Sequence, residues 1–452
     1  MCNICPACIG EPALRKLVLA GSASSNPCDY CDAGLPAIEI GFVAAKCDEV
    51  LSTFYTPSHL TAAVIHFDRT PAGTDLETTL QQLVQAPDEA IRDIAEALQV
   101  MWYDRDSGEY EYGDKEPWFV PKSRMESPLS RGWTVMENSL RVEARYLNPT
   151  VDQFMESIFG GVADDVAEDG SSVLVDVGPE TPAVDIYRAR VFQSVTSMDE
   201  ALQHPERLLG APAAGIGVGG RMNAAGQPAF YGATDVQTAL AEVRPPVGSW
   251  VVVAKFSITR ALKLLDLKRL GQVTLSKDAS LFDANTKAQA ERRDFLRLFC
   301  EKIVAPVMPE SQERNYLITQ VVADYLSMHP RASIDGIIYP SVQRSSEGSS
   351  STGENIVLFH KAATAVHADS DGATAEVELW EYEEEGPERY FRPRIMYLSD
   401  KPQAWFKPLH HQAKPALQLI RDSLQIHRVQ CIDIRTDVTP LEVENVELWG
   451  NK

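Results

Sequence analysis

GGRMNAAGQPAFYGATDVQTALAEVRPP, residues 219–246, decides how this chain is read, because a loop, a strand and a helix follow one another in it with reactive side chains on each. The turn residues Asn223 and Gly226 lead into a short apolar strand that carries Phe230 and Tyr231. Thr234 or Asp235 then caps a helix whose apolar residues Val236, Ala239, Leu240 and Val243 recur at helical spacing, and Pro245 and Pro246 stop it. Glu242 therefore falls on the last turn, where a negative side chain opposes the helix dipole and a structural design prefers a cation. Arg221, Tyr231 and Glu242 thus stand out as candidates for chemistry. The competing reading is a solvated cluster of Arg221, Glu242 and Arg244.

Working outward, the residues just before this stretch have a period of two. Val184, Ile186, Arg188 and Arg190 share one face of a strand and leave Tyr187 on the other. After it, residues 250–258 and 262–267 read as strands, and 288–302 and 314–327 as amphipathic helices. Residues 336–339 and 356–359 read as two short apolar strands. Ser341 sits at the end of the first, the usual place for a site residue, and 345–352 reads as a flap. GIGVGG at 215–220 spells GxGxxG, but no strand precedes it and Arg221 rather than a helix follows, so it is not a dinucleotide fingerprint.

The N-terminal half is helical. Asp88 starts a helix with Ile91, Ile94, Ala95, Leu98 and Met101 on one stripe; Trp133, Met136, Leu140 and Ala144 mark a second; Asn148-Pro149 opens a third with Phe154, Ile158 and Phe159. Helices followed by strands give an α+β chain. Its expected parts are a cysteine-rich segment (1–50), a helical domain (36–165), an acidic linker (166–182), a mixed domain (183–362) and an extension (363–452). The extension carries strand-like residues 376–385 and a helix over 415–426.

The 452 residues hold 42 Lys and Arg against 64 Asp and Glu, a net charge of -22. Such a field disfavours nucleic acid and anionic lipid but not a local basic pocket for a phosphorylated small molecule. No apolar run approaches the roughly 18 residues of a membrane span. No signal peptide is evident either, so the chain reads as cytoplasmic. Six of the eight cysteines precede residue 50. Cys5-Pro-Ala-Cys8 and Cys28-Asp-Tyr-Cys31 form two CxxC pairs suited to tetrahedral zinc. Cys2 also makes a CxxC with Cys5, but Ile4 and Ile9 flank Cys5 and Cys8 as packing residues and favour that register.

Five blocks, IYRAR (186–190), GRMNAAGQPAFYGA (220–233), TALAEV (238–243), DGIIYPS (335–341) and ENIVLF (354–359), occur in the order of the RES domain and resemble it. The N-terminal half, with ICPAC, CDYC and Trp-containing helices, resembles the HEPN/RES N-terminal domain. The resemblance implies an ADP-ribosyltransferase-like fold and an enzyme that degrades NAD, by phosphorolysis with inorganic phosphate or by hydrolysis as an NAD glycohydrolase. In many members this makes the protein a toxin of a toxin-antitoxin system, silenced by an Xre-type antitoxin. It places catalytic roles on Arg221, Tyr231, Glu242 and Ser341 and substrate contacts on Arg188, Asn223 and Asn355. A carboxylate suits such chemistry, because nicotinamide leaves as a neutral base and the ribose becomes oxocarbenium-like. Transfer of ADP-ribose to another acceptor is an alternative outcome. A second alternative is HEPN-type ribonuclease activity, since Arg421 and His427 have the Arg-x4-6-His spacing; with nine histidines, about one such match is expected by chance. A third is a zinc-anchored binding module with an inert site.

Overall fold

The computed structural model describes residues 2–21, 27–58, 71–112, 117–122, 128–144, 147–275, 279–305, 310, 312–341, 353–366, 374–382, 389–398, 414–432, 439 and 441. The chain forms two compact units, one of Met1–Val173 with Asp266–Ala305 and the other of Leu174–Leu265 with Pro306–Lys452. The segment expected as one mixed domain over 183–362 is thus interrupted by forty residues, 266–305, that belong to the first unit.

The first unit begins with β1 (Asn3–Ile4) paired to β2 (Ile38–Glu39). Helices Pro12–Gly21, Ile40–Phe54, Leu76–Val84 and Asp88–Trp102 follow, with β3 (Tyr55–Ser58) paired antiparallel to β4 (Trp118–Pro121). Ile4, Leu14, Val43, Leu51, Leu80, Ile94, Leu98, Trp102 and Phe119 share one core. Helix 88–102 starts where its acidic first turn predicts, but the stripe ends on Trp102; Met101 faces solvent. The Trp102 indole donates to Asp48 Oδ1 at 2.7 Å, which fixes that choice.

Helices Pro128–Val142, Pro149–Phe159 and Ala284–Val304 meet through rings, Trp133 lying 5.7 Å from Phe295 and Phe159 5.3 Å from Phe299. Asn148 caps the second of these by accepting from Thr150 N and Val151 N. Arg292 grips Asp165 with both terminal nitrogens, at 2.8 and 2.6 Å, and ties the late helix to the early ones.

The second unit is built on a nine-stranded sheet. Its strands are β5 (Leu174–Val177), β6 (Asp185–Phe192), β7 (Phe230–Ala233), β8 (Trp250–Ile258), β9 (Leu262–Asp266), β10 (Gly336–Pro340) and β11 (Glu354–Leu358). A two-stranded ribbon of β12 (Ala375–Tyr382) and β13 (Arg389–Tyr397) follows, and then β14 (Leu417–Leu419) and β15 (Gln425–Arg428) complete the sheet. The spatial order is β14-β8-β6-β7-β11-β10-β9-β5, and β15 also pairs with β8. Helices and sheet thus coexist as the α+β reading requires.

Two expectations fail here. The acidic segment 166–182 contains β5, which pairs with β9 through Leu174 with Leu265 to Val177 with Leu262, so it is sheet rather than linker. Residues 415–426 are not a helix but two short strands around a turn, because β8 offers them a full row of partners, Leu417 to Ile258 and Gln425 to Val253.

The sheet's two faces carry different cores. Ile186, Phe230, Val252, Ala254, Phe256, Ile356 and Leu358 lie on one. Ala189, Ala233, Val251 and Val253 lie on the other and pack with Val236, Ala239 and Leu240 of the helix Val236–Glu242. Asp235 caps that helix by accepting from Thr238 N at 2.9 Å.

Candidate functional site

The site assembles where β7, β10 and β11 meet the ends of two helices, all within the second unit. In register, Asn355 of β11 stands between Tyr339 of β10 and Ala233 of β7, so the three share a face. Helix 236–242 ends above them, and Glu242 Oε2 accepts from Asn355 Nδ2 at 3.1 Å. Glu242 remains solvent-exposed, whereas Asn355 is buried at 3%. The carboxylate is thus aimed from below by a buried amide and open from above.

Arg244, part of the charged cluster in the sequence, is exposed and adopts the left-handed conformation with φ 44°, its N–H bonding Ala241 O. It ends the helix in the position that glycine usually takes. No ion pair joins it to Glu242 among the described residues.

Ser341 follows β10 directly and is 4% exposed; its N–H donates to Gly353 O at 2.9 Å, which ties the end of β10 to the residue before β11. Gly353 has no room for a side chain, since a Cβ there would lie 1.8 Å from Thr238 Oγ1 and 2.6 Å from Asp235 Oδ2. The proposed flap 345–352 lies outside the described residues.

The polar groups of Tyr231 and Asn223 are engaged with each other and with the neighbouring loop. The Tyr231 hydroxyl donates to Asn223 Oδ1 at 2.7 Å and accepts from Met222 N at 2.9 Å. Asn223 Nδ2 in turn donates to the carbonyls of Val218, Ala224 and Gln227. All their polar capacity holds the 217–227 loop. Burial raises the Tyr231 phenol to about 12, so it stays neutral and keeps donating. A Cβ on Gly220 would sit 2.6 Å from the Tyr231 oxygen, which explains the glycine.

Helix Gln312–Ser327, read from the sequence as an amphipathic helix with no part in the site, secures the loop's other side. Gln320 Nε2 donates to Gly220 O at 2.8 Å, Thr319 Oγ1 donates to Arg221 O, and Asp324 accepts from Gln227 Nε2 at 3.0 Å. The same helix presents Tyr316, whose ring lies 5.9 Å below the Arg221 guanidinium. Tyr339 completes the group. Burial raises its phenol strongly, and the charges that it feels are Glu242, which raises it further, and Arg221, which lowers it. Tyr316 and Tyr231 also lie in that neighbourhood.

Arg188 belongs to β6. The two strands β6 and β7 share one registered pair, Tyr187 with Ala233, and next to it Arg188 Nη1 reaches across to Tyr231 O at 2.8 Å. Its guanidinium lies 4.9 Å over the Phe230 ring. Burial, and then the nearby charge of Arg190, depress Arg188 to about 9, so it remains a cation near neutrality.

Buried polar atoms nearly always find partners. Among the described residues four do not: Tyr112 Oη, Arg188 Nε, Ser341 Oγ and Asn355 Oδ1. Ser341 and Asn355 flank the end of β10 and the start of β11, and Arg188 reaches the neighbouring β7 through the Tyr231 carbonyl.

Arg421 and His427, the pair with ribonuclease spacing, are structural. Arg421 Nε donates to the buried Glu206 at 2.9 Å and its guanidinium lies 4.5 Å over Tyr397, while His427 is on β15, opposite Val251.

In the first unit Cys5, Cys8, Cys28 and Cys31 converge, with every sulfur within 4.8 Å of the others. Cys5 lies 3.4 Å from Cys31 and 3.9 Å from Cys8, and Cys8 lies 3.8 Å from Cys28. Cys2 stands apart, beside Tyr30 and Asp93. Four thiols from two turns can hold a metal ion, and the register is that of Cys5 with Cys8.

Among the described residues no helix is long and apolar enough to cross a membrane. No curated protein matches the chain. Residues 186–381, which contain every side chain of the site in the second unit, match the family model of the RES domain, a domain associated with NAD-related toxin activity.

Proposed function

We propose that the second unit cleaves the bond between nicotinamide and ribose in NAD and passes ADP-ribose to inorganic phosphate. The observation that carries this reading is the set of orphaned polar atoms on Arg188, Ser341 and Asn355. A buried donor or acceptor left unpaired costs about 1–3 kcal/mol. Ser341 Oγ, at the end of β10, and Asn355 Oδ1, on the amide that binds the exposed Glu242, with Arg188 Nε beside the Tyr231 carbonyl, are costly for a purely structural surface and sensible for a site that awaits a polar ligand.

The residues have separable roles. Glu242, oriented by Asn355, places negative charge against the ribose as the glycosidic bond lengthens and positive charge develops on it, an electrostatic stabilisation set in place beforehand. Ser341 Oγ and Asn355 Oδ1 pair with ribose hydroxyls or the nicotinamide amide. Arg221 and Arg188 hold phosphate oxygens. Tyr231 and Asn223 keep the loop that carries Arg221 in shape. A phosphate oxygen then bonds to the ribose carbon as neutral nicotinamide departs with the glycosidic electron pair, so no general acid is needed.

Incubation of the protein with NAD, with and without inorganic phosphate, followed by mass spectrometry of the products, tests the reading. Nicotinamide with ADP-ribose 1″-phosphate is the expected result. ADP-ribose alone at millimolar phosphate makes water the acceptor, and unconsumed NAD defeats the proposal. A toxin role, and control by an Xre-type antitoxin, extend the same reading and are tested by growth arrest on expression and its relief by the partner.

For the first unit, we propose that the four cysteines bind one structural zinc. A tetrahedron with Zn–S bonds of about 2.3 Å has S–S edges of about 3.8 Å, close to the three sulfur separations given above. Four sulfur ligands leave no place for water, so the metal would hold the two turns together and take no part in turnover.

A further inference from the structure

Arg188 and Arg190 alternate onto the same face of β6, beside Ala254 and Val252 of β8 and the Phe230 ring, all apolar. Elsewhere the chain pairs its half-buried arginines with carboxylates: Arg292 with Asp165, Arg421 with Glu206, Arg293 with Asp294. These two have none. Arg188 gives one N–H to a main-chain oxygen and keeps Nε buried without a partner. Arg190 is half-buried and makes no ion pair or hydrogen bond among the described residues. Burial depresses both guanidinium groups, and the charge of Arg190 depresses Arg188 further. Two adjacent, desolvated like charges cost stability unless an anion compensates them.

We infer that Arg188 and Arg190 together form a subsite for a phosphoryl group, with Arg190 supplying the second positive charge. The inference deepens the reading of the site as one that takes NAD. Two planar guanidinium forks present parallel N–H donors that match phosphate oxygens, and two charges favour a doubly charged anion over a carboxylate. The occupant has two possible sources, the diphosphate of the dinucleotide or free inorganic phosphate entering as acceptor. A diphosphate already has Arg221 within the site, and the subsite at β6 gives a second anion its own place.

The test uses the full chain as wild type, Arg190→Met, Arg190→Lys and, as a control for the loss of one positive charge, Arg244→Met. Calorimetric titrations use inorganic phosphate and ADP-ribose as separate probes, with circular dichroism to establish folding. Arg190→Met is expected to weaken at least one probe by about 10- to 100-fold, the range for a charged hydrogen bond. Arg190→Lys recovers part of the loss, because it keeps charge without the fork, and Arg244→Met stays within about twofold. Loss of phosphate binding alone identifies the acceptor's place; loss of ADP-ribose binding identifies the dinucleotide's. Arg190→Met binding both probes like wild type, or wild type binding neither, overturns the subsite. If wild type leaves NAD intact while Arg190→Met loses phosphate binding, the subsite stands and the NAD reading falls.

Discussion

Replacing Ser341 with alanine separates a hydroxyl kept for a ligand from one kept for the fold. In the free protein the Ser341 Oγ is buried and pairs with nothing among the described residues. Leaving it so costs about 1–3 kcal/mol, and its removal forfeits the packing of a single atom, so Ser341→Ala should gain about 1 kcal/mol locally. That gain makes opening of the β10 and β11 strands about fivefold rarer, because 1.4 kcal/mol corresponds to a factor of ten. Hydrogen exchange of the amides in 336–341 and 354–358, followed by mass spectrometry, reads this directly and avoids treating a two-unit chain as two-state. Turnover should move the other way. A neutral hydrogen bond to substrate is worth about 0.5–1.5 kcal/mol, so kcat/KM for NAD should fall about two- to thirteenfold. Faster exchange with unchanged kcat/KM would show that the hydroxyl serves the fold and would refute the argument from orphaned atoms.

Glu242→Gln should keep the bond from Asn355 and the fold while kcat for NAD falls by more than about 100-fold; a variant within tenfold of the parent removes the carboxylate from the mechanism. Tyr316→Phe should behave as wild type and Tyr316→Ala should raise KM about tenfold with kcat nearly unchanged, because the ring under Arg221 is the part in use; equal kinetics for both variants deny the ring a role. Metal analysis of protein purified without chelator should give one zinc per chain for wild type and Cys2→Ser, and much less for Cys31→Ser; zinc lost from the Cys2 variant would put the wrong pair in the cluster. Arg244→Gly should raise stability by about 1 kcal/mol, by relieving a left-handed non-glycine residue, without changing turnover; a fall in activity would return Arg244 to the site.

Much of the second unit was legible because its pattern is local. Asp235, the spacing of Val236, Ala239 and Leu240, and the paired prolines give helix 236–242 almost to the residue. The alternation of Ile186, Arg188 and Arg190 gives β6 and the face of each side chain. Other parts depend on partners far along the chain. Leu417, Ile420 and Leu424 have helical spacing, and only the open edge of β8 draws their segment into strands. Acidic neighbours hide the alternation of β5 until β9 lies beside it.

The site shows the same division. Residue type and position marked Glu242 and Ser341, and the resemblance added Asn355, but nothing in a sequence says that the Tyr231 hydroxyl and the Asn223 amide pair with each other. Tyr316, Thr319 and Gln320 went unnoticed, since their contacts reach back about a hundred residues to Gly220 and Arg221. The register of β10 against β11 is what turns Tyr339 into a neighbour of Asn355.

The division of the first unit between residues 1–173 and 266–305 bears on how the chain is made. A ribosome releases the chain from its N-terminus, and domains tend to fold as units once complete. Here the early helices must wait for Phe295 and Phe299 before the rings of Trp133, Phe154 and Phe159 can close. By then β5 to β9 have already emerged, and their own sheet still lacks β10, β11 and its C-terminal strands. Neither unit can therefore be released as an unbroken fragment. A stop codon between residues 306 and 428 leaves the second unit without part of its sheet, so that sheet is complete only after Arg428 has been made.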